Sequence, residues 1–277
     1  MILVDGSNFL WRAHFAGRTL SSKGRLSGAL HIGLGMLADF PKNFKPQRVI
    51  FLWDGKKSWR KKLEPSYKAN RKDSTERAAV HRQIDVFRDL LQAIGVTQVT
   101  ADSMEADDLI GMLTKILLAR KIETTIVSSD KDLFQLLQNG VLQVRGWTGK
   151  KLDIWTRERV EFKYGVKVKD WARYLALIGD KIDNIPNACR GMGPVRAREV
   201  LNGGKGLTTE ASIQYGKNLM LTTLKRDFKE SGLSVDDLKV HERGDGWSRL
   251  ENVLEDYELV QLRNDRRAIY QIGGWGR

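Results

Sequence analysis

Acidic residues recur in short clusters over the first two thirds of the chain. They are Asp5 in ILVDGSN, Glu105, Asp107 and Asp108 in MEADD, Asp130 and Asp132 in SSDKD, and Asp180 and Asp183 in GDKIDN. Most sit at the ends of apolar runs, where a fold can bring them together. Two carboxylates about 4 Å apart repel by roughly 4 kcal/mol at an effective dielectric near 20, so a convergent set requires cations. Divalent metal is the candidate.

Each cluster also has a purely local reading. Glu105 stands four residues before Leu109 and eight before Leu113, which extends a buried helical stripe and gives its carboxylate need of a partner. Asp108 shares that face, whereas Asp107 points away, so the three meet only in a first helical turn. There they could equally serve the helix dipole. In SSDKDLFQLL, Ser129 and Asp132 have the spacing of a capping box.

The elements that must position these acids alternate. MILVD, RVIFLW at 48–53, VTQVT at 96–100 and TTIVSS at 124–129 read as strands. Helical periodicity fills the gaps in SGALHIGLGMLADF, ERAAVHRQIDVFRDLLQAIG and EADDLIGMLTKILLARK. This predicts an α/β fold with a mainly parallel central sheet flanked by helices. Ligands gather beyond the carboxyl ends of such strands, and Asp5, Asp54 and Asp130 fall at or just after such ends. From about residue 166 helices and glycine-rich connections replace strands. Residues 1–165 therefore read as the core, 166–262 as a helical region and 263–277 as a tail.

The 277 residues carry 47 Lys and Arg against 34 Asp and Glu, a formal charge of +13, although many acids are reserved for the presumptive metal site. Such a surface favours a polyanion, and nucleic acid fits better than membrane because no basic amphipathic helix with an aromatic face stands out. A basic surface kept for solubility is the plainer alternative. Cys189 is the only cysteine, which excludes an intrachain disulfide and a thiolate zinc site. His14, His31, His81 and His241 are scattered as surface or core residues, and Trp11, Trp53, Trp147, Trp155, Trp171, Trp247 and Trp275 read as packing residues. No leader sequence precedes ILVD and no apolar run is of spanning length, so a soluble, cytoplasmic protein is expected.

Residues 56–82 hold ten Lys or Arg (56, 57, 60, 61, 62, 68, 71, 72, 77, 82) against acids at 64, 73 and 76, with Trp59 and Tyr67 interleaved. Phosphates are drawn to such a segment and unpaired bases can stack on its rings. GMGPVRAREVL at 191–201 reads as a glycine turn feeding a helix, with Gly193 as N-cap and Pro194 first in the helix. Its free amides form an anion site to which Arg190, Arg196 and Arg198 add charge.

Taken in order, DGSN at 5–8, LWDG at 52–55, YKANR at 67–71, EADD at 105–108, SSDKD at 128–132, GDKIDNIP at 179–186 and GMG at 191–193 resemble the structure-specific 5′-nucleases. These comprise flap endonucleases, stand-alone bacteriophage 5′-to-3′ exonucleases and the 5′-nuclease domain of bacterial DNA polymerase I. The resemblance runs from residue 2 to about 202, and YELVQLRND at 257–265 is similar to the family's closing segment. Two departures stand out. NACR at 187–190 adds one residue before the hairpin, and residues 203–246 have no counterpart in the pattern.

The resemblance implies a PIN-like nuclease core with an arch-like segment at 56–82 and a C-terminal helix-hairpin-helix. It implies that Asp5, Asp54, Glu105, Asp107, Asp108, Asp130, Asp132, Asp180 and Asp183 hold two or more Mg²⁺ or Mn²⁺ ions, hard cations that take oxygen ligands. Lys68 and Arg71 would contact the scissile phosphate and Tyr67 would stack beside it, with Arg60 and Lys61 as further DNA contacts. Gly191, Gly193, Arg196 and Arg198 would grip duplex phosphates, with K⁺ at the hairpin. The implied substrate is branched or 5′-ended duplex DNA, extending to RNA–DNA hybrids, cut by a monomeric 5′-to-3′ exonuclease and flap endonuclease in replication or repair, in a bacterial or phage-infected cell. Two other readings stay open. One is a PIN-like ribonuclease, although that class lacks the YKANR segment and the hairpin. The other is a non-catalytic structure-specific DNA-binding protein whose acids only cap helices.

Overall fold

The computed structural model describes residues 1–44, 48–71, 74–231, 238–240, 246–259, 262 and 264–272. His241 and Trp275, and the side chain of Trp247, lie outside the described residues.

The short β-branched runs form the centre of a seven-stranded sheet. In chain order the strands are β1 (Ile2–Asp5), the small pair β2 (Ser21–Ser22) and β3 (Arg25–Leu26), β4 (Val49–Trp53), β5 (Thr97–Thr100), β6 (Thr124–Val127), β7 (Val141–Thr148), β8 (Lys151–Trp155) and β9 (Lys239–Val240). The main sheet runs β8-β7-β6-β1-β4-β5-β9. Its inner five strands are parallel, with β8 and β9 antiparallel at the edges. The α/β architecture with a mainly parallel sheet is therefore as the sequence predicts. Chain order reverses between β1 and β6, and a crevice opens beyond the strand ends at such a switch point. Asp5 ends β1, and Ser128, Ser129 and Asp130 follow β6 directly.

Helices cover both faces. They are α1 (Gly6–Ala16), α2 (Gly28–Ala38), α3 (Phe40–Asn43), α4 (Trp59–Leu63), α5 (Thr75–Ala93), α6 (Ala106–Ala119), α7 (Arg157–Tyr164), α8 (Trp171–Ile178), α9 (Pro194–Leu201), α10 (Thr209–Thr222), α11 (Phe228–Ser231), α12 (Gly246–Asp256) and α13 (Arg266–Ile272). Alternate strand residues divide between two cores. Ile2, Val4, Phe51 and Trp53 pack with Phe9, Phe87 and the buried faces of α2 and α5. Leu3, Leu52 and Ile126 pack with Leu109, Ile110, Phe134 and Trp171.

Three sequence expectations change. The hairpin β7–β8 and the edge strand β9 were not anticipated, and β9 draws the nominally helical C-terminal region onto the main sheet. The nominal tail from residue 263 contains α13, whose Ile269 and Ile272 are buried in the same core as Ile2. The capping box at Ser129 does not form. The residue preceding the 3₁₀ turn Asp132–Leu136 is Lys131, and the Asp132 amide donates instead to Asp130 Oδ1 at 2.9 Å.

Candidate active site

Asp5 closes β1 and caps α1, accepting from the Asn8 amide at 3.0 Å. Across the switch point Ser128 Oγ donates to Asp5 Oδ2 at 3.2 Å, and Asn8 Oδ1 accepts from the Ser129 amide and hydroxyl at 2.9 and 3.0 Å. Helix α1 and the SSDKD loop are thus locked together at the crevice. Gln143, fully buried on β7, fixes the loop from below by donating to the carbonyls of Ser128 (2.7 Å) and Asp130 (2.6 Å). Sequence reasoning passed over Gln143 and Arg145. Their signal was the alternation in VLQVRGW, which marks a strand with a polar residue on its buried side.

The crevice widens into a cleft of about 670 Å³. Asp107, Asp130, Asp132, Asp180 and Asp183 line it together with Lys68 and Arg71. Asn8, Lys131, Arg145 and Lys181 line it as well. Six sequence segments that are far apart in the chain meet here. Asp5 lies buried beside the cleft, and Asp54 is exposed after β4, where its Oδ1 caps α6 by accepting from the Ala106 amide at 2.9 Å.

The YKANR turn is stapled onto the GDKIDN loop. The Lys68 amide donates to the Asp183 carbonyl at 2.9 Å, Asn70 to the Lys181 carbonyl at 2.8 Å, and Asn184 to the Ser66 carbonyl at 2.8 Å. Lys68 adopts a left-handed backbone, φ +57°, which costs a non-glycine residue energy and persists only where the surroundings enforce it. Its ammonium reaches Glu105 Oε1 at 2.9 Å and lies 3.8 Å from Asp183, and Arg71 pairs with Asp183 at 2.5 Å.

Several residues depart from their expected roles. Arg60 is not on the surface but 1% exposed, donating to Glu105 (2.8 Å), Asp107 (3.4 Å), Asp108 (2.8 and 3.0 Å) and the Leu221 carbonyl (2.8 Å). A buried guanidinium requires this set of acceptors and is unavailable to DNA. Tyr67 is likewise buried, which leaves no ring face free for stacking, and its hydroxyl lies within donating distance of Glu105 (3.0 Å) and Asp183 (3.1 Å). Asp108 is fully buried. Its carboxylate accepts from Arg60 twice, from Trp59 Nε1 at 2.7 Å and from the Lys225 amide at 2.8 Å, which saturates both oxygens. It therefore holds the fold rather than an ion. Arg198 turns toward the Tyr164 carbonyl at 3.3 Å, away from the hairpin. Lys61 and Arg196 are exposed.

The hairpin joins α8 to α9, with Gly193 as N-cap and Pro194 starting α9 as expected. Gly191 has φ +75°, a turn conformation that disfavours side chains, and a Cβ at Gly191 or Gly193 would meet nothing within 4 Å. The backbone there is open to a ligand. Residues 203–246, which the sequence left without a role, supply α10. It is tied to α8 and the hairpin through Asn218, which donates to the Ala176 and Pro186 carbonyls at 2.8 and 2.7 Å.

The electrostatics of the cluster are uneven. Burial, with Asp54 and Asp130 nearby, raises Asp5 to about 7. Burial raises Asp107 well above its ordinary range, although Arg60 opposes this, and burial next to Asp130 and Asp183 does the same for Asp132. Asp130 is also raised, chiefly by burial. Burial acts on Glu105 in the same sense, but Lys68 and Arg60 outweigh it and hold Glu105 low. Among the described residues no three such side chains are arranged as they stand to hold an ion, and Lys68, Arg60 and Arg71 lie against the carboxylates. The Asp132 carboxylate accepts no hydrogen bond from another described residue, and a half-buried carboxylate cluster of this kind suits a hard cation with oxygen ligands.

A parallel sheet with carboxylates and basic side chains converging at its switch point defines an α/β protein whose site suits a phosphate-bearing ligand together with a cation. The family described as "5'-3' exonuclease, N-terminal resolvase-like domain" matches residues 1–165, and the chain belongs to it. The chain is 34% identical over 203 residues to a 5'-3' exonuclease of Aquifex aeolicus, covering 73% of this chain and 68% of that protein. It is 33% identical over 202 residues to flap endonuclease Xni of Shewanella amazonensis, covering 73% and 76%. It is also 34% identical over 210 residues to DNA polymerase I of Pseudomonas aeruginosa, of which the match spans only 22%. The fold is shared with flap endonuclease-1 from Methanococcus jannaschii (TM-score 0.66, 14% identity, 99% of this chain and 92% of that one). It is shared equally with a bacteriophage T5 flap endonuclease crystallised with DNA and metal ions (TM-score 0.64, 19% identity, 98% of each chain). Among the described residues no helix is long and apolar enough to cross a membrane.

Proposed function

We propose that the chain is a divalent-metal-dependent 5′-nuclease that hydrolyses phosphodiester bonds of DNA at 5′ ends and 5′-flap junctions. The observation that carries this reading is the cleft in which Lys68 and Arg71 stand beside Asp107, Asp130, Asp132, Asp180 and Asp183, in a member of this family. Glu105 lies behind Lys68, and Asp5 and Asp54 complete the acidic set, whereas Asp108 serves Arg60. Mg²⁺ or Mn²⁺ held by these carboxylates would supply Lewis-acid stabilisation of phosphoryl transfer and lower the pKa of water.

The protein's own groups do the positioning. Lys68 and Arg71, fixed by the staple to the 180–184 loop, place positive charge where the scissile phosphate gains negative charge. They also pair with Glu105 and Asp183, which offsets part of the like-charge repulsion in the cluster. The uncovered backbone at Gly191 and Gly193, with the exposed Arg196, would offer duplex phosphates a grip that reads shape rather than sequence. K⁺ at this hairpin, RNA–DNA hybrids as substrates and a monomeric state belong to the same proposal.

An electrophoretic assay of a 5′-labelled flap duplex, with Mg²⁺ and with chelator, tests this. Metal-dependent products cut within about a nucleotide of the junction are expected. An intact substrate that shifts on a native gel would mean a binding protein, and preference for single-stranded RNA would mean a PIN-like ribonuclease.

A further inference from the structure

A second concavity, of about 720 Å³, lies between α4 and α10 and shares no lining residue with the acidic cleft. Its walls are apolar, and two of them are unusually open: Leu63 is 47% exposed and Met220 50%. Its polar lining includes Lys62 and Lys225, and no carboxylate contributes. Apolar walls rimmed by ammonium groups fit an anionic chain that carries flat apolar units.

Gly216 gives an independent sign that the space is kept open. It sits inside α10, where glycine costs about 1 kcal/mol relative to alanine. No packing demand explains it, since a Cβ there would meet nothing within 4 Å. The residue lines the groove, so any longer side chain would project into it.

The groove is also wired to the acidic site. Trp59 Nε1 and the Lys225 amide both donate to Asp108, whose neighbour Asp107 lines the cleft. Lys56, Lys57 and Lys61 add charge around the start of α4. We propose that this groove is a subsite for the single-stranded 5′ extension of the substrate, seating unpaired bases against Leu63 and Met220 with Lys62 and Lys225 at the flanking phosphates. The inference rests on the 5′-nuclease reading and names where the unpaired strand goes.

The test compares duplexes with a single-stranded 5′ extension and flush duplexes by fluorescence anisotropy in EDTA. Gly216→Leu fills the groove and Gly216→Ala improves the helix without filling it; thermal denaturation is used to check that both fold. Wild type and Gly216→Ala should bind the extended duplex more tightly than the flush one. Gly216→Leu should lose about tenfold in affinity for the extended duplex, the scale of one base contact, and keep its affinity for the flush one. Equal changes on both duplexes, no change on either, or no gain from the extension in wild type would each overturn the proposal while leaving cleavage in Mg²⁺ intact. Wild type that neither binds nor cleaves either DNA would instead overturn the nuclease reading, and this inference with it. Binding of an oligoglutamate peptide ending in Phe that is lost in Gly216→Leu, with flap affinity unchanged, would assign the groove to a protein partner and reject the proposal.

Discussion

Lys68 Nζ lies 2.9 Å from Glu105 Oε1, so an ammonium group sits among the carboxylates where added cations would compete with it. Burial acts to weaken the protonated ammonium, but Glu105 and Asp183 outweigh it and strengthen it. The side chain therefore stays charged and can transfer its contact from Glu105 to a substrate phosphate. Lys68→Ala is expected to lower the cleavage rate by about 10² to 10³, the usual cost of removing a donor aimed at developing charge. Duplex affinity should change little. Single-turnover kinetics alongside a binding titration measure both, and equal losses in the two would remove the proposed role.

Arg60 makes a prediction of the opposite kind. Its guanidinium is enclosed by Glu105, Asp107, Asp108 and the Leu221 carbonyl, so Arg60→Met leaves buried carboxylates without their cation. A loss of about 3 to 5 kcal/mol in unfolding free energy is expected, read from urea denaturation. Stability equal to wild type combined with weaker DNA binding would return Arg60 to the surface role that its sequence context suggested.

Asp132 should trade stability for activity. Its carboxylate is half-buried next to Asp130 and Asp183 and has no donor among the described residues. Asp132→Asn removes like-charge repulsion while keeping shape. In EDTA its melting temperature should rise above wild type, while cleavage of a flap duplex in Mg²⁺ falls to background. A lower melting temperature would show that the carboxylate supports the fold.

The pH dependence of the metal-free protein follows from the raised carboxyls. Asp5 titrates at about 7 in the folded state against an ordinary value of 3.8, and Asp107, Asp130 and Asp132 are displaced in the same direction. Between those values the folded chain holds protons that the unfolded chain has released, so stability present at low pH is lost as pH rises through the folded pKa. Glu105, held low, acts oppositely but only at more acidic pH. Melting temperature in EDTA should therefore fall from pH 5 to pH 8, and Mg²⁺ should reverse most of that fall at pH 8. A flat profile with no metal effect would count against a convergent ionised cluster.

The sequence alone determined the parallel sheet, because β-branched runs alternating with helical periodicity leave few other ways to bury both patterns. It also determined the placement of Asp5 and Asp130 at strand ends, which needs only the chain's local conformation. The strands β7 and β8 were legible as alternation, but the aromatic and basic residues within them obscured it. What only the tertiary structure decided is which members of the acidic set face the cleft. Asp107 and Asp108 are adjacent in one helical turn, yet one lines the cleft and the other is saturated by Arg60, Trp59 and the Lys225 amide. Arg60 and Tyr67 looked like surface groups because their segment is strongly basic, and charge density in a sequence does not reveal which side chains have buried acceptors. Those acceptors come from residues 38 to 161 positions away, whose approach is set by how α6, α10 and the 180–184 loop pack, and no local spacing encodes that packing.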